Sequence, residues 1–142
     1  MRSLFFSAEP RWAAGLALVR LTAGLLIAHH GLDVFDAEGM RGMGDWLATD
    51  LHLPAGHLMG YLAKGTEFFG GLLLALGLLT RPAALLLAVT MAVAVFGAHG
   101  DDVFGKGETA FVYGLLFLAF FFAGPGRWSL DHWLAMRGEL KR

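Results

Sequence analysis

Hydrophobic and polar positions in this chain are arranged in long blocks rather than alternating singly. Apolar blocks predict helices at about residues 12–30, 58–80, 82–99 and 108–123. Each block is near the length of about 20 residues that a helix needs to cross the roughly 30 Å hydrocarbon core of a bilayer. The pattern therefore predicts an all-α polytopic membrane protein, built as one domain over residues 1–142 from a four-transmembrane-helix antiparallel bundle.

The polar segments between and after these blocks predict two further helices. In the first loop, Met40, Trp46 and Leu47 recur at helical spacing among acidic residues. This favours a short amphipathic helix on the membrane surface, and an ordinary ordered loop helix is the alternative. After the GPG at 124–126, an amphipathic C-terminal tail is predicted, with Ser129 as its N-cap.

The second apolar block is unusual because it contains Lys64 and Glu67, and the first block contains Arg20. A charge at membrane depth costs a few kcal/mol or more, so such residues normally face a bundle interior. At 1.5 Å per residue, Arg20 lies about 12 Å from the start of its block and Glu67 about 13 Å from the outer start of its own block. Both residues would lie near mid-bilayer, which predicts an ion pair between Arg20 and Glu67.

The outer end of the predicted bundle collects titratable side chains from every helix. Lys64 lies one turn outward of Glu67, the first helix ends in His29 and His30, the third ends in His99, and the fourth begins with Glu108. On a helical wheel His30 lies closer to the face of Arg20 than His29 does, so His30 is the better interior candidate.

These residues suggest either a reactive pocket or a set of structural charges. The candidate catalytic residues are Glu67, Lys64, His99 and Glu108, and the candidate ligand-binding residues are Arg20, His30, Lys64 and Glu67. In a pocket, the cations would stabilise negative charge on an oxygen atom, and a carboxyl group or imidazole would move the proton. In the structural alternative, the charges only fix the packing of the helices.

Composition and charge exclude several classes of function. The chain has 56% hydrophobic residues, a formal net charge of -1 and no cysteine. It has no basic patch for nucleic acid, and it cannot form disulfides or carry out thiol–disulfide exchange itself. Nitrogen and oxygen ligands from His30, His99, Glu67 and Glu108 could in principle hold a metal ion, but no HExxH or ExxH spacing supports this, and no metal is predicted.

The distribution of Lys and Arg predicts the orientation of the chain. One side would carry Arg2, Arg11, Arg81, Arg127, Arg137, Lys141 and Arg142, and the other side only Arg41 and Lys106. Because basic residues favour the cytoplasmic side of a membrane, both termini are predicted to be cytoplasmic, with the protein integral to the inner (plasma) membrane.

Several stretches resemble a known family. RLTAGLLIAHHGLDVF, EFFGGLLLALGLLTRPAALLLAVTMAVA and GETAFVYGLLFLAFFFAGPGRWSLD are similar, in this order and over nearly the whole chain, to the DoxX family of small four-helix integral membrane proteins. The resemblance implies an inner-membrane protein linked to redox chemistry. Relatives resemble subunits of thiosulfate or catechol quinone oxidoreductases, or membrane partners of soluble oxidative-stress enzymes.

The expected function is therefore a component of a quinone-linked redox or oxidative-stress pathway, and whether the chain is itself an enzyme stays open. Its expected partners are the lipid bilayer, a soluble oxidoreductase or other membrane subunits, and a second copy of itself. A quinone is the expected cofactor class, and because no motif for a bound redox centre is found, electrons would come from a partner or a second small molecule. The alternative is a non-catalytic membrane scaffold or chaperone subunit.

Overall fold

The computed structural model describes residues 12–98, 100 and 102–139, and all regular structure in these residues is helical. The helices are α1 (Trp12–His30), α2 (Ala37–Thr49), α3 (Gly56–Gly65), α4 (Gly71–Leu76), α5 (Thr80–Val93), α6 (Glu108–Ala123) and α7 (Leu130–Glu139). A 3-10 turn at Gly31–Phe35 follows α1, a π turn at Thr66–Gly70 joins α3 to α4, and a second π turn at Ala94–Ala98 extends α5. The all-α class is confirmed for this part of the chain. His99 and the basic residues Arg2, Arg11, Lys141 and Arg142 lie outside the described residues.

The helix formed by α3 and α4 ends earlier than the hydrophobic pattern predicts. It stops at Leu76 rather than near residue 80, because Gly77 and Leu79 have left-handed backbones with φ of 68° and 49°. The Gly77 carbonyl oxygen accepts a hydrogen bond from the backbone N–H of Asp131 at 2.9 Å. A Cβ at position 77 would also lie 2.6 Å from the Ser129 side chain, so this turn requires glycine.

The helices pack as an arc. α1 packs on α4, where Gly24 and Gly71 face each other so closely that a Cβ on Gly24 would lie 2.6 Å from the Gly71 carbonyl oxygen. α4 then packs on α5, and α5 on α6. Among the described residues, α1 and α6 lack the close backbone approach seen between α5 and α6. The arc is therefore open between its first and last helices.

Apolar side chains occupy both the inside and the outside of this arc. Leu74, Leu87 and Phe117 are fully buried in the central core, whereas Leu18 and Phe122 are 65% and 75% exposed. The segments 14–35 and 80–98 are long and apolar enough to cross a membrane. Only 33% of the apolar 18-residue stretch within each segment is buried in the structure. A core helix of a soluble protein would be mostly buried, so the exposed apolar surface favours contact with lipid.

The predicted loop helix is present as α2. It packs on α3 through the buried Met40 and Leu47, which meet Gly60, while polar residues of α2 face outward. Asp36 caps its N-terminus by accepting a hydrogen bond from the backbone N–H of Glu38 at 3.1 Å.

The segment from Gly124 to Asp131 returns to the base of the arc and forms what we call the C-terminal junction with Arg20 and the Gly77–Thr80 turn. Arg20 donates from Nη1 to the Pro125 carbonyl oxygen and from Nη2 to the Trp128 carbonyl oxygen, the latter at 2.7 Å. Asp131 accepts from the backbone N–H groups of Leu79 at 2.8 Å and Thr80 at 2.9 Å, which caps α5.

The charge of Asp131 stabilises this junction. Burial favours its neutral acid form, but the hydrogen bonds from the Thr80 and Leu79 backbones and the charge of Arg20 outweigh burial and hold the pKa of Asp131 below its ordinary value. The carboxylate is therefore ionised at neutral pH, where it compensates the buried guanidinium.

The predicted tail helix is present as α7, and the Ser129 N-cap is confirmed by a 3.1 Å hydrogen bond from the backbone N–H of His132 to Ser129 Oγ. The expectation that this tail is amphipathic is not met. Arg137 lies on the same side as Trp133 and interrupts the apolar face, with its guanidinium carbon 3.7 Å from the centroid of the indole.

Candidate functional site

An open cavity with several polar side chains in its wall, which we call the polar cavity, lies at one end of the arc, near the end of α1. Its volume is about 170 Å³. It is lined by Ile27 and His30 of α1, Lys64 and Glu67 of the α3 region, Met91 and Ala94 of the α5 region, and Lys106, Thr109, Ala110 and Tyr113 in and before α6. The cavity therefore receives side chains from α1, α3, α5 and α6 and from the turns beside them.

Lys64 is the centre of the hydrogen bonding around this cavity. Its Nζ donates to the carbonyl oxygen of His30 at 3.1 Å and to Glu67 Oε2 at 3.0 Å, and it lies 3.3 Å from Asp33 Oδ2. These three acceptors match the three N–H donors of an ammonium group. The side chains of Lys64 and Glu67 are only 18% and 11% exposed, so the pair is largely removed from solvent.

The π turn at Thr66–Gly70 presents Glu67 to the cavity. It contacts the end of α1 at Gly31, where a Cβ would lie 2.6 Å from the Phe68 Cα atom. Only glycine permits this approach, which places the His30 carbonyl oxygen within reach of Lys64. π turns inside α-helices are rare, and many of those that occur lie at functional sites.

The predicted ion pair between Arg20 and Glu67 is wrong. Glu67 pairs with Lys64, and Arg20 donates to the Pro125 and Trp128 carbonyl oxygens. The two residues lie at different heights in the structure: Gly31, at the end of α1, meets Glu67 and Phe68, whereas the Arg20 side chain reaches the turn at Gly77. Arg20 and Gly31 are 11 residues apart, which is about 16 Å along a helix, so the depth estimate gave the wrong register between the two antiparallel helices.

The other candidate residues divide between two places. His30 lines the cavity, with its ring centroid 6.4 Å from that of Tyr113, whereas His29 does not line it. Glu108 lies instead in the space between α1 and α6. The structure thus brings together three of the predicted residues, His30, Lys64 and Glu67, and it separates Glu108 and Arg20 from them.

The opening of the arc forms a groove of about 760 Å³, which we call the α1/α6 groove. It is lined by Leu18, Val19, Thr22, Ala23 and Leu26 of α1 and by Glu108, Thr109, Val112, Tyr113 and Leu116 of α6. The groove is mostly apolar and lies beside the polar cavity, from which it is separated by the shared residues Thr109 and Tyr113.

Sequence reasoning missed Asp33, Lys106, Thr109 and Tyr113. A signal for Tyr113 existed, since its hydroxyl group interrupts a block rich in Phe and Leu. Asp33 and Lys106 were counted as loop charges, and nothing in their spacing indicated that they lie near Lys64 or the cavity. The structure adds a second carboxylate beside the ammonium group and a second cation at the cavity wall.

Several polar atoms around the cavity are available to a ligand. Among the described residues, no protein partner bonds to Glu67 Oε1, to the ring nitrogens of His30 or to the Tyr113 hydroxyl group. The two carboxylates of Asp33 and Glu67 balance the charges of Lys64 and Lys106. The site therefore combines a neutral overall charge with both donors and acceptors of hydrogen bonds.

In the described part of the chain, no group of three His, Asp or Glu side chains is arranged so that it could hold a metal ion. Glu67 lines the polar cavity and Glu108 lines the α1/α6 groove, so two of the four residues considered as metal ligands lie in different places.

Comparison with known proteins identifies the family. The family model described as DoxX matches residues 15–100 of the chain. The chain belongs to the DoxX family. This DoxX protein is therefore an integral membrane protein whose exposed apolar surface contacts the lipid bilayer.

Relatives of this DoxX protein cover most of its length. A Haemophilus influenzae protein without an assigned function is 36% identical over 82% of this chain and 88% of its own length. The uncharacterized membrane protein Rv3486 of Mycobacterium tuberculosis is 31% identical over 92% of this chain and 93% of its own. A Bacillus subtilis protein named "Putative oxidoreductase CatD" is 31% identical over 79% of each chain. No solved structure gives a significant match.

Proposed function

We propose that this DoxX protein is an inner-membrane component of a quinone-linked redox or oxidative-stress pathway, and that its polar cavity binds a quinone headgroup. The observation that carries the proposal is the cavity itself, which is lined by His30, Glu67 and Tyr113 together with the half-buried Lys64. The name of the Bacillus subtilis relative supports an oxidoreductase association.

The size of the cavity fits a single ring. A protein cavity of about 150 Å³ is known to hold benzene, and most drug-sized ligand sites are about 300–1,000 Å³. The cavity of about 170 Å³ therefore has room for one six-membered headgroup, and its open side leaves space for substituents on the ring.

The chemistry of the lining suits a quinone. Reduction of a quinone to a quinol consumes two electrons and two protons, and a partner oxidoreductase or a small reductant would supply the electrons. Lys64 would stabilise negative charge on one quinone oxygen, and Glu67 would hold and transfer a proton. His30 and Tyr113 would donate hydrogen bonds to the other oxygen. Glu108 and His99 remain candidates for moving protons between this site and the outer surface.

A scaffold function is the second candidate, and one observation favours it. All three donors of Lys64 already have acceptors within the protein, as expected if the cluster only joins α1 to α3. In this alternative the protein would bind a partner protein without catalysis, and a quinone would have no effect on it.

We further propose four membrane-spanning helices, formed by α1, by α3 with α4, by α5 and by α6, with both termini in the cytoplasm. Arg81 and Arg127 lie near the C-terminal junction, whereas Arg41 and Lys106 lie in the connections at the other end, which supports this orientation. A cytoplasmic reporter fused after Arg142 should be active, and periplasmic reporters should be active only within residues 31–57 and 100–107. Activity of a periplasmic reporter fused at the C-terminus would contradict the orientation.

Addition of a short-chain quinone to the purified protein should raise its melting temperature, because a ligand that binds only the folded state stabilises it. His30→Gln and Glu67→Gln should each weaken the apparent affinity at least tenfold. Glutamine at position 67 still accepts the hydrogen bond from Lys64, and Asp33 still supplies a negative charge, so the melting temperature without quinone should fall only moderately. The measurement is a thermal melting series over increasing quinone concentration.

Glu38→Gln is the matched control, because Glu38 is exposed on α2 and does not line the cavity. It should respond to quinone like the parent. A parent protein that shows no quinone-dependent shift would favour the scaffold. Equal responses from the parent and both cavity variants would show that the quinone binds elsewhere.

A further inference from the structure

The polar cavity has an apolar extension at the opening of the arc. Thr109 and Tyr113 line both the cavity and the α1/α6 groove, so one turn of α6 forms the boundary between them. Tyr113 is partly exposed and stacks on Phe117, with ring centroids 5.6 Å apart. Its ring therefore lies between the space for a polar group and the space beside the lipid.

The shape of the groove follows from two matching stripes of side chains. On α1 the stripe begins at Leu18 and ends at Leu26, and on α6 it begins at Glu108 and ends at Leu116. In both stripes the other lining residues come one, four, five and eight positions after the first one. At 1.5 Å per residue, each stripe extends about 12 Å along its helix. The groove thus continues toward the middle of the arc as an elongated apolar slot.

We propose that the α1/α6 groove holds the isoprenoid tail of a membrane quinone whose headgroup occupies the polar cavity, so that the ligand enters sideways from the bilayer. This inference rests on the proposed quinone site. It adds that the physiological ligand is a lipid-soluble, tailed quinone, and it assigns Val112 and Leu18 as tail-contacting residues.

Three observations support a tail as the occupant. The cavity of about 170 Å³ is near the size of a single headgroup, so a long isoprenoid tail would extend beyond it. The boundary at Thr109 and Tyr113 joins the cavity to a groove that is larger, elongated and mostly apolar. The backbones of α1 and α6 stay apart in the described residues, whereas the other neighbours in the arc pack closely.

The groove would favour binding of the tail through its shape more than through hydrophobic burial. A tail in a bilayer or micelle is already in an apolar environment, so moving it into the groove gains little transfer free energy. Blocking the groove should therefore act sterically, and it should affect a tailed quinone while leaving a tail-less one nearly unchanged.

The experiment compares two quinones with the same headgroup, one tail-less and one with a tail of several isoprene units, by thermal stabilisation in detergent. Val112→Trp places a large side chain into the groove. We expect this variant to lose at least tenfold in apparent affinity for the tailed quinone and to stay within twofold of the parent for the tail-less quinone.

Val89→Trp is the control, because Val89 is 54% exposed on α5 compared with 55% for Val112 on α6, and it lines neither space. It should bind both quinones like the parent. If Val112→Trp affects both quinones equally or neither, the groove is not the tail site, although the quinone site itself would stand. If the parent binds neither quinone, the proposed function fails first.

Two further outcomes would assign the groove to another occupant. Competition by a headgroup-free isoprenoid hydrocarbon as strong as that by the tailed quinone would identify the groove as a general lipid site. A change in oligomeric state of Val112→Trp, measured by light scattering in the same detergent, would identify it as an interface between copies of the chain. Either result would overturn the proposal.

Discussion

Arg20→Met is expected to lower the free energy of unfolding by about 3 kcal/mol. Arg20 is 3% exposed, and its guanidinium donates to the carbonyl oxygens of Pro125 and Trp128. Hydrogen bonds from a charged group contribute about 1.5–3 kcal/mol each, and losing the donor leaves two acceptors unpaired. Asp131 also loses its compensating charge. Titration with a denaturing detergent measures the change.

Arg41→Met is the matched control, since Arg41 is exposed and, within the part of the chain that the structure describes, bonds only to the Ala37 carbonyl oxygen of its own helix, at 3.2 Å. It should change stability by less than about 0.5 kcal/mol, as most surface substitutions do. Arg20→Lys should recover part of the loss, because it restores the charge without the planar pair of donors. Equal unfolding curves for the Arg20→Met and Arg41→Met variants would show that the C-terminal junction contributes little to stability.

The same variants distinguish structural from ligand-binding roles for Arg20, which the sequence suggested as part of the site. Arg20 lines neither the polar cavity nor the α1/α6 groove. A folded Arg20→Met variant should therefore keep the quinone-dependent rise in melting temperature. If the variant lost the quinone-dependent rise in melting temperature while its stability stayed unchanged, Arg20 would be part of the binding site.

Gly31→Ala should destabilise the protein by about 3 kcal/mol and abolish its response to quinone. The added Cβ would lie 2.6 Å from the Phe68 Cα atom and 2.8 Å from the Glu67 carbonyl carbon. These are backbone atoms, which cannot rotate away as a side chain can, so α1 and the π turn must separate. That separation would break the hydrogen bond from Lys64 to the His30 carbonyl oxygen and displace Glu67.

Gly65→Ala is the control for this substitution. Gly65 ends α3, one residue before the π turn, and a Cβ there would meet no atom within 4 Å. Alanine is favoured over glycine within a helix by about 0.5–1 kcal/mol, so this variant should be as stable as the parent or slightly more so. Melting temperatures and quinone titrations of both variants provide the comparison, and a Gly31→Ala protein that behaves like Gly65→Ala would contradict the close packing at Gly31.

The sequence was sufficient to predict the elements that depend on local pattern. The C-terminal end of α1 at His30 and both ends of α6 agree with the apolar blocks, because local signals lie at each: two histidines and Gly31 end α1, Glu108 begins α6, and the GPG at 124–126 ends it. The end of α4 was not predictable in this way. Its left-handed turn at Gly77 is stabilised by Asp131, whose backbone and carboxylate contacts come from a distant part of the chain.

The candidate site was predictable only in part for a related reason. Charges within an apolar block single out Lys64 and Glu67, and the helical wheel favours His30 over His29. Counting residues from the start of each block, however, does not fix the register between antiparallel helices, and this is why the pairing of Arg20 with Glu67 was wrong: Glu67 lies beside Gly31, and Arg20 lies beside Gly77. Asp33 comes within reach of Lys64 because the 3-10 turn after α1 folds back, which no periodicity in that loop indicates.

The C-terminal junction has a consequence for the synthesis of the protein. Arg20 and its acceptor Trp128 are 108 residues apart, so the guanidinium is synthesised long before its partners. At roughly 5–20 residues per second, the ribosome needs about 5–20 s to reach them. Until then a buried cation lacks its acceptors, and a chain truncated before Gly124 would never obtain them. The junction can therefore form only after the last segment has been synthesised, and we expect chains truncated before Gly124 to be less stable than the complete chain.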